Sequence, residues 1–268
     1  MNARVGSVKT ITSTANPIIK AARALHQRKA RNESGLFLAE GHKLVLDALA
    51  VDWLPEMILM PEPGSDDDHG AQLAARVRAA GGDVIFTNAA VMEKLARRDN
   101  PQTVIGVFPQ RIASLSTFTH GTVIALEAPR DPGNIGTIIR TADGAGAAGV
   151  ILIGNSADPF GIEAVRATMG SLFHVPIART DLDGFVKFLG RFPGPAIGTH
   201  LAGAVDIRSV THEEPQILVM GTEQAGLTDE LAGHCSQLVK IPMDGAADSL
   251  NLAVATAVAL YELRRSYL

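Results

Sequence analysis

The sequence predicts an α/β protein built from two domains, and three observations lead there. The chain has 268 residues, more than a single domain of roughly 150 residues accounts for. It is 46% hydrophobic but only 4% aromatic, a balance that suits helices laid on a sheet of small aliphatic side chains. Apolar runs of strand length alternate with runs of helical spacing, the pattern of a sheet covered on both faces.

The elements follow in order. Residues 16–31 set Ile18, Ala22 and Leu25 opposite Lys20, Arg23, Gln27 and Arg31, which predicts one amphipathic helix with a basic face spanning about 80°. Strand-like LFLAEG (36–41), a helix at 43–50 and the strand LPEMILM (54–60) come next. The acidic turn PEPGSDDDHG leads to a helix at 71–80, the strand GDVIFTN, a helix near 90–98 and the strand TVIGVF. The segment PQRIASLSTFTH (109–120) has no period and carries turn residues. The expected organisation is a first domain at 1–110, a linker at 111–120 and a second domain at 121–268. Strands are expected in the latter at 121–127, 149–154, 173–178, 195–199, 216–220 and 237–241, with helices between several of them.

Composition excludes several classes. The lone Cys235 rules out an internal disulfide and any cysteine-built metal site, and points to a reducing compartment. The eight histidines are scattered. No metal site is expected, and His174 and His200 read as packed core residues beside strands. The N-terminal MNARVGSVKTITST has no continuous apolar run of a secretory signal, and LNLAVATAVALY falls short of the ~20 residues a spanning helix needs. The expectation is a soluble, cytoplasmic protein. A net charge of −4 conceals eight Lys/Arg against three acids in residues 1–50, a local basic excess that suits nucleic acid.

GAGAAG at 144–149 spells G-x-G-x-x-G. A dinucleotide site needs that string after a strand and before a helix, and here the order is reversed. P-loop, G-x-S-x-G and H-E-x-x-H strings are absent. Three other segments carry more. In APRDPGNIGTIIRTA (128–142) a turn after a strand opens a helix, with Asn134 in the expected N-cap position and Gly136 one turn before Arg140, a setting for a phosphate or ribose. In QILVMGTEQAGLTDEL (216–231) a buried strand runs into Gly221, Glu223 and Gly226, then a helix capped by Thr228. A strand's carboxyl end is where parallel α/β sheets place ligands. In VKIPMDGAADSLNLAVATAVALYEL (239–263), Ser249 or Asp248 is expected to cap a helix apolar nearly all round, which must be covered by its own sheet and by a second partner.

In this order, PGNIGTIIRTA, MGTEQAGL and IPMDGAADSLNLAVA resemble the three motifs of the SpoU/TrmH family of RNA 2′-O-ribose methyltransferases, within the SPOUT superfamily. The stretch ITSTANPIIKAARALHQRKARNESGLFLAEG resembles that family's accessory substrate-binding domain. The resemblance implies an α/β fold: a SPOUT parallel sheet with a C-terminal trefoil knot, preceded by a smaller L30e-like domain. One departure stands in the third motif, where Ala253 replaces a serine common in the family.

The resemblance further implies S-adenosylmethionine held by backbone groups at Thr199, Leu201, Gly221, Ile241 and Leu250, and a catalytic set of Asn134, Arg140, Glu223, Ser249 and Asn251. Arg140 stays charged, so it is read as clamping a substrate phosphate and polarising the 2′-hydroxyl. Lys20, Arg23 and Arg31 become candidate RNA contacts. The expected protein is a homodimer acting on structured RNA, ribosomal RNA before transfer RNA. The alternatives are a transfer RNA 2′-O-methyltransferase, a non-catalytic RNA-binding relative and, disfavoured by the glycine order, a nicotinamide-dependent oxidoreductase.

Overall fold

Apolar strand runs separated by short helices build one mixed sheet and one wholly parallel sheet. The computed structural model describes residues 5–64, 66–96, 103–200, 205–210, 213–222 and 225–268. The chain divides into two compact units, Met1–Gln110 with Phe160–Phe173, and Arg111–Pro159 with His174–Leu268.

In the first unit the order is β1 (Val8–Thr10), α1 (Pro17–Ala24), α2 (Arg28–Ser34), β2 (Leu36–Glu40), α3 (His42–Ala50), β3 (Met57–Pro61), α4 (Asp68–Ala79), β4 (Asp83–Thr87), α5 (Ala89–Ala96) and β5 (Ile105–Pro109). The sheet runs β1-β4-β3-β5-β2. β1, β4 and β3 are parallel, while β5 lies antiparallel to both β3 and β2. Strand alternation divides the core. Leu38, Leu59, Ile85 and Val107 meet Ile19 and Ala22 of α1 and Leu95 of α5 on one face, and α4 packs on β3 and β4. Phe37, Trp53 and Phe108 form an aromatic cluster that Phe160 and Phe173 complete. Between those two phenylalanines lies α7 (Ile162–Thr168), where Arg166 pairs with the buried carboxylate of Glu40 at 2.8 Å.

The single helix expected over 16–31 is corrected here. It breaks into α1 and α2 at Leu25–Gln27 because Arg31 is buried, 5% exposed, and its guanidinium donates to the Leu25 carbonyl at 2.7 Å, closing the open end of α1. The continuous basic face from Lys20 to Arg31 therefore does not form. Lys20 and Arg23 are exposed on α1, and Arg28 and Lys29 on α2.

The second unit runs β6 (Thr122–Glu127), α6 (Pro132–Gly144), β7 (Gly149–Ile153), β8 (Ile177–Thr180), α8 (Leu182–Leu189), β9 (Ala196–Thr199), β10 (Val205–Asp206), β11 (Gln216–Met220), α9 (Asp229–Gly233), β12 (Gln237–Lys240) and α10 (Leu252–Leu263). Its seven strands are ordered β10-β12-β9-β11-β6-β7-β8 and all pair in parallel. β6, β7 and β11 are buried throughout, as a sheet covered on both faces requires. Val123, Ala125, Ile151, Ile217 and Val219 face Phe185 of α8 and Leu231 of α9. On the other face α6 packs on β7, and α10 packs on both α6 and β11. The glycines of GAGAAG end α6 and open β7, with Gly146 at φ +65° and Gly149 at φ +156°. No helix among the described residues is long and apolar enough to cross a membrane.

Candidate active site

The carboxyl ends of β6, β9, β11 and β12 lie side by side in the sheet, and two of the three sequence motifs leave from β6 and β11. β6 ends at Glu127, and Ala128 takes a left-handed φ of 42° that turns the chain toward α6. Asp131 caps α6, its carboxylate accepting from the Asn134 backbone at 2.7 Å, and Pro132 occupies the first turn. This corrects the expected cap at Asn134. Three residues inside, Asn134 uses its side chain elsewhere, because Asp131 already supplies the acceptor an N-cap needs.

That side chain meets Asn251, 117 positions later. The Asn251 Nδ2 donates to Asn134 Oδ1 at 3.0 Å. Asn251 is also the N-cap of α10, its Oδ1 accepting from Ala253 at 2.9 Å. The cap is thus Asn251, not Ser249 or Asp248 as expected. A single amide serves both groups: its oxygen closes the helix and its nitrogen holds Asn134.

A cavity of about 400 Å³ lies beside this pair. Thr199 and His200 at the end of β9, Gly221 and Gly226 after β11, Ile241 after β12, and Ser249 with Leu250 ahead of α10 line it. Met220, Val239 and Leu252 add apolar wall. His200 is thereby corrected from a core histidine to a half-buried wall residue, and His174 is exposed.

Gly221 shows why glycine stands here. A Cβ on it would sit 1.9 Å from the Gly226 carbonyl carbon and 2.0 Å from the Leu227 nitrogen. Thr222 and Gly226 exchange backbone bonds of 2.9 and 3.1 Å that close the loop on itself. The wall is therefore main chain pressed against main chain, which leaves peptide groups to face a ligand.

Thr199, Gly221, Ile241, Ser249 and Leu250 thus share one cavity, and Asn134 and Asn251 meet beside it. Arg140 is exposed on α6 and lies outside the lining. Leu201 and Glu223 lie outside the described residues. Sequence reasoning passed over Glu127, whose buried carboxylate accepts from the Thr228 backbone at 2.9 Å and from its hydroxyl at 2.6 Å. Its signal was visible: the single charge of a buried strand, at the strand's end. His200 and Lys240, also on the cavity wall, gave no such signal.

Comparison with known proteins completes the description. The model of the SpoU rRNA Methylase family matches residues 121–261, and that of the MRM3-like substrate binding domain matches residues 16–106. The chain is 32% identical to a 23S rRNA (guanosine(2553)-2′-O)-methyltransferase, RlmP, of Bacillus subtilis, over 96% of this chain and all of the relative. It is 30% identical to a 23S rRNA (uridine(2479)-2′-O)-methyltransferase of Streptomyces viridochromogenes, covering 98% of this chain and 94% of that one. Among solved structures, an AdoMet-bound rRNA methyltransferase from Sinorhizobium meliloti superposes with a TM-score of 0.91 at 48% identity, over 98% of this chain and 100% of that one.

Proposed function

Because the chain belongs to the SpoU rRNA methylase family, we propose that it transfers a methyl group from S-adenosylmethionine to a ribose 2′-hydroxyl of ribosomal RNA. The observation that carries the reading is the cavity at the carboxyl ends of the strands, with the Asn134–Asn251 pair beside it. At about 400 Å³ the cavity falls inside the ~300–1,000 Å³ range of small-molecule sites. Its residues fit the cofactor. Val239, Ile241, Leu250 and Leu252 offer an apolar slot for a planar base, and the Gly221–Gly226 wall offers main-chain groups for its polar edge.

Bound there, S-adenosylmethionine supplies an electrophilic methyl on a sulfonium. The protein's own task is to present a weakly nucleophilic hydroxyl to it. Asn251 fixes the orientation of the Asn134 amide at the start of α6, and Ser249 adds a hydroxyl on the cavity wall. A guanidinium stays charged and does not serve as a base at neutral pH. Arg140 is instead read as the group that grips a substrate phosphate and polarises the hydroxyl, with Glu223 as a further member of the set. Thr199 and Leu201 belong to the cofactor side.

The first unit, matching a substrate-binding domain, presents Lys20 and Arg23 to solvent as RNA contacts. A homodimer is supported by α10, whose Val254, Val258 and Tyr261 form an exposed apolar row while Leu252, Thr256, Ala259 and Leu263 are buried. A ribosomal RNA substrate supports the reading of a cytoplasmic enzyme. The strand order, in which the chain returns from β10 to lay β11 between β9 and β6, is compatible with a trefoil knot.

The reading is tested by incubating the protein with tritiated S-adenosylmethionine and unmodified ribosomal RNA, then hydrolysing with alkali. Label in alkali-resistant dinucleotides is the expected result, because a 2′-O-methyl group blocks cleavage of the adjoining bond. Label in mononucleotides would mean base methylation, and label confined to transfer RNA in a parallel reaction would move the substrate there.

A further inference from the structure

We propose that Glu127 is a positioning residue whose carboxylate clamps Thr228 and thereby sets the Gly221–Gly226 wall of the cavity. The inference rests on the reading of that cavity as the S-adenosylmethionine site.

Glu127 ends β6, a strand otherwise of apolar residues and one threonine, and is 8% exposed. Burying a carboxylate is costly unless its oxygens are satisfied. Here a single residue satisfies both oxygens. The Thr228 backbone donates to Oε2 at 2.9 Å and the Thr228 hydroxyl donates to Oε1 at 2.6 Å. The hydroxyl is thereby committed as donor to Glu127, while its lone pair accepts from the Leu231 backbone at 3.3 Å to cap α9. Thr228 is held in position and in orientation at once.

One residue separates this clamp from the cavity wall at Gly226. Leu227, next in the chain, is buried in the core at 3% exposure. Gly226 is tied to Thr222 by two backbone bonds and pressed against Gly221. A shift at Thr228 therefore reaches Gly226 and Gly221 through the buried Leu227 and the paired backbone of Thr222 and Gly226. In the other direction Glu127 continues through the turn at Ala128 to the cap of α6, the helix that carries Asn134. One carboxylate thus joins the root of the first motif to the loop of the second. An apolar residue would fill the same space without this geometric link.

The test compares Glu127→Gln, Thr228→Val, their double variant and Thr228→Ser in the full chain. Calorimetric affinity for S-adenosylhomocysteine and S-adenosylmethionine, steady-state kinetics on ribosomal RNA, and the folded fraction by circular dichroism are measured for each. Glu127→Gln and Thr228→Val are each expected to weaken cofactor binding at least tenfold and to raise the cofactor KM more than they lower kcat. The double variant should bind no worse than the weaker single one, and Thr228→Ser should stay within about threefold of the native protein. Native affinity in both single variants, losses that multiply in the double variant, or weakening that only follows a reduced folded fraction would overturn the proposal. Native protein that binds neither ligand would overturn the cofactor reading, and this inference with it.

Discussion

At the residue scale, charge and burial assign different work to side chains that lie close in the chain. Arg140 is exposed on a helix whose Ile135, Ile138, Ile139 and Ala142 are wholly buried, so its removal leaves the packing of α6 intact. Arg140→Ala is expected to lower kcat by about 10²–10³, the scale for losing one electrostatic stabiliser of a developing charge, while cofactor affinity changes less than twofold by calorimetry. Lost cofactor binding would contradict the assignment. Cys235 reports on the opposite condition. Burial pushes its thiol up to about 11, and the Glu127 carboxylate adds to the shift. At pH 8 roughly a thousandth of it is thiolate, against about a tenth at the ordinary value of 9.0. A disulfide reagent at pH 8 should therefore label it on the order of 100-fold more slowly in native protein than in denaturant. Its folded value exceeds the unfolded one, so the stability it contributes is intact below pH 9 and is lost as pH rises toward 11. Equal labelling rates would show the thiol to be exposed.

At the element scale, α6 and α10 run side by side and are tied at both ends. Asn251 holds Asn134 where the two helices begin, and Arg264 donates to the Gly146 carbonyl where they finish. Arg264 also pairs with Glu214 at 3.1 Å, and Glu214 accepts from the Thr122 hydroxyl at 2.8 Å, so the far end is anchored to the sheet. Asn251 therefore has two separable duties. Asn251→Ala should cost about 1 kcal/mol as a lost cap and also lose turnover. Asn251→Asp keeps a capping oxygen but replaces the donor to Asn134 with an acceptor, so thermal stability should hold while kcat falls. Thermal midpoints and single-turnover rates measured together distinguish the two, and full activity in Asn251→Asp would dissociate the pair from catalysis. The capping errors at α6 and α10 have one physical origin. Asp131, Asn134, Ser249 and Asn251 are all competent caps by type, and residue type alone does not say which of them closes the helix and which bonds across to the other motif.

At the scale of the whole molecule, the proposed dimer face and the proposed RNA face each make a prediction. The apolar row Val254, Val258 and Tyr261 continues α10 on the side away from its sheet. The proposed dimer predicts two chains per particle by light scattering for the native protein and one for Val258→Asp, with an unchanged circular dichroism spectrum; an unchanged mass would exclude this face. On the first unit, Lys20→Glu with Arg23→Glu should weaken RNA binding and flatten its salt dependence by about 0.7–0.9 per lost phosphate contact, leaving cofactor affinity intact. Arg31→Glu belongs to a different class. Its guanidinium is buried on the Leu25 carbonyl, so the expected outcome is a lower melting temperature, read by calorimetry, rather than a selective loss of RNA.

Sequence alone determined what depends on neighbours along the chain. Alternating apolar runs such as GVILI and QILVM announced strands buried on both faces. The glycines of GAGAAG announced a helix end instead of a nucleotide loop, and the three motifs announced the family. Tertiary structure alone decided what depends on residues far apart. The meeting of Asn134 with Asn251 and the clamp of Glu127 on Thr228 join groups separated by 117 and 101 positions. Phe160 and Phe173, in the interval read as the second domain, likewise complete the aromatic cluster of the first unit. Local pattern carries the hydrophobic period that selects strand or helix. A hydrogen bond between distant side chains leaves no period behind, and only the packed chain reveals which polar groups it had to satisfy.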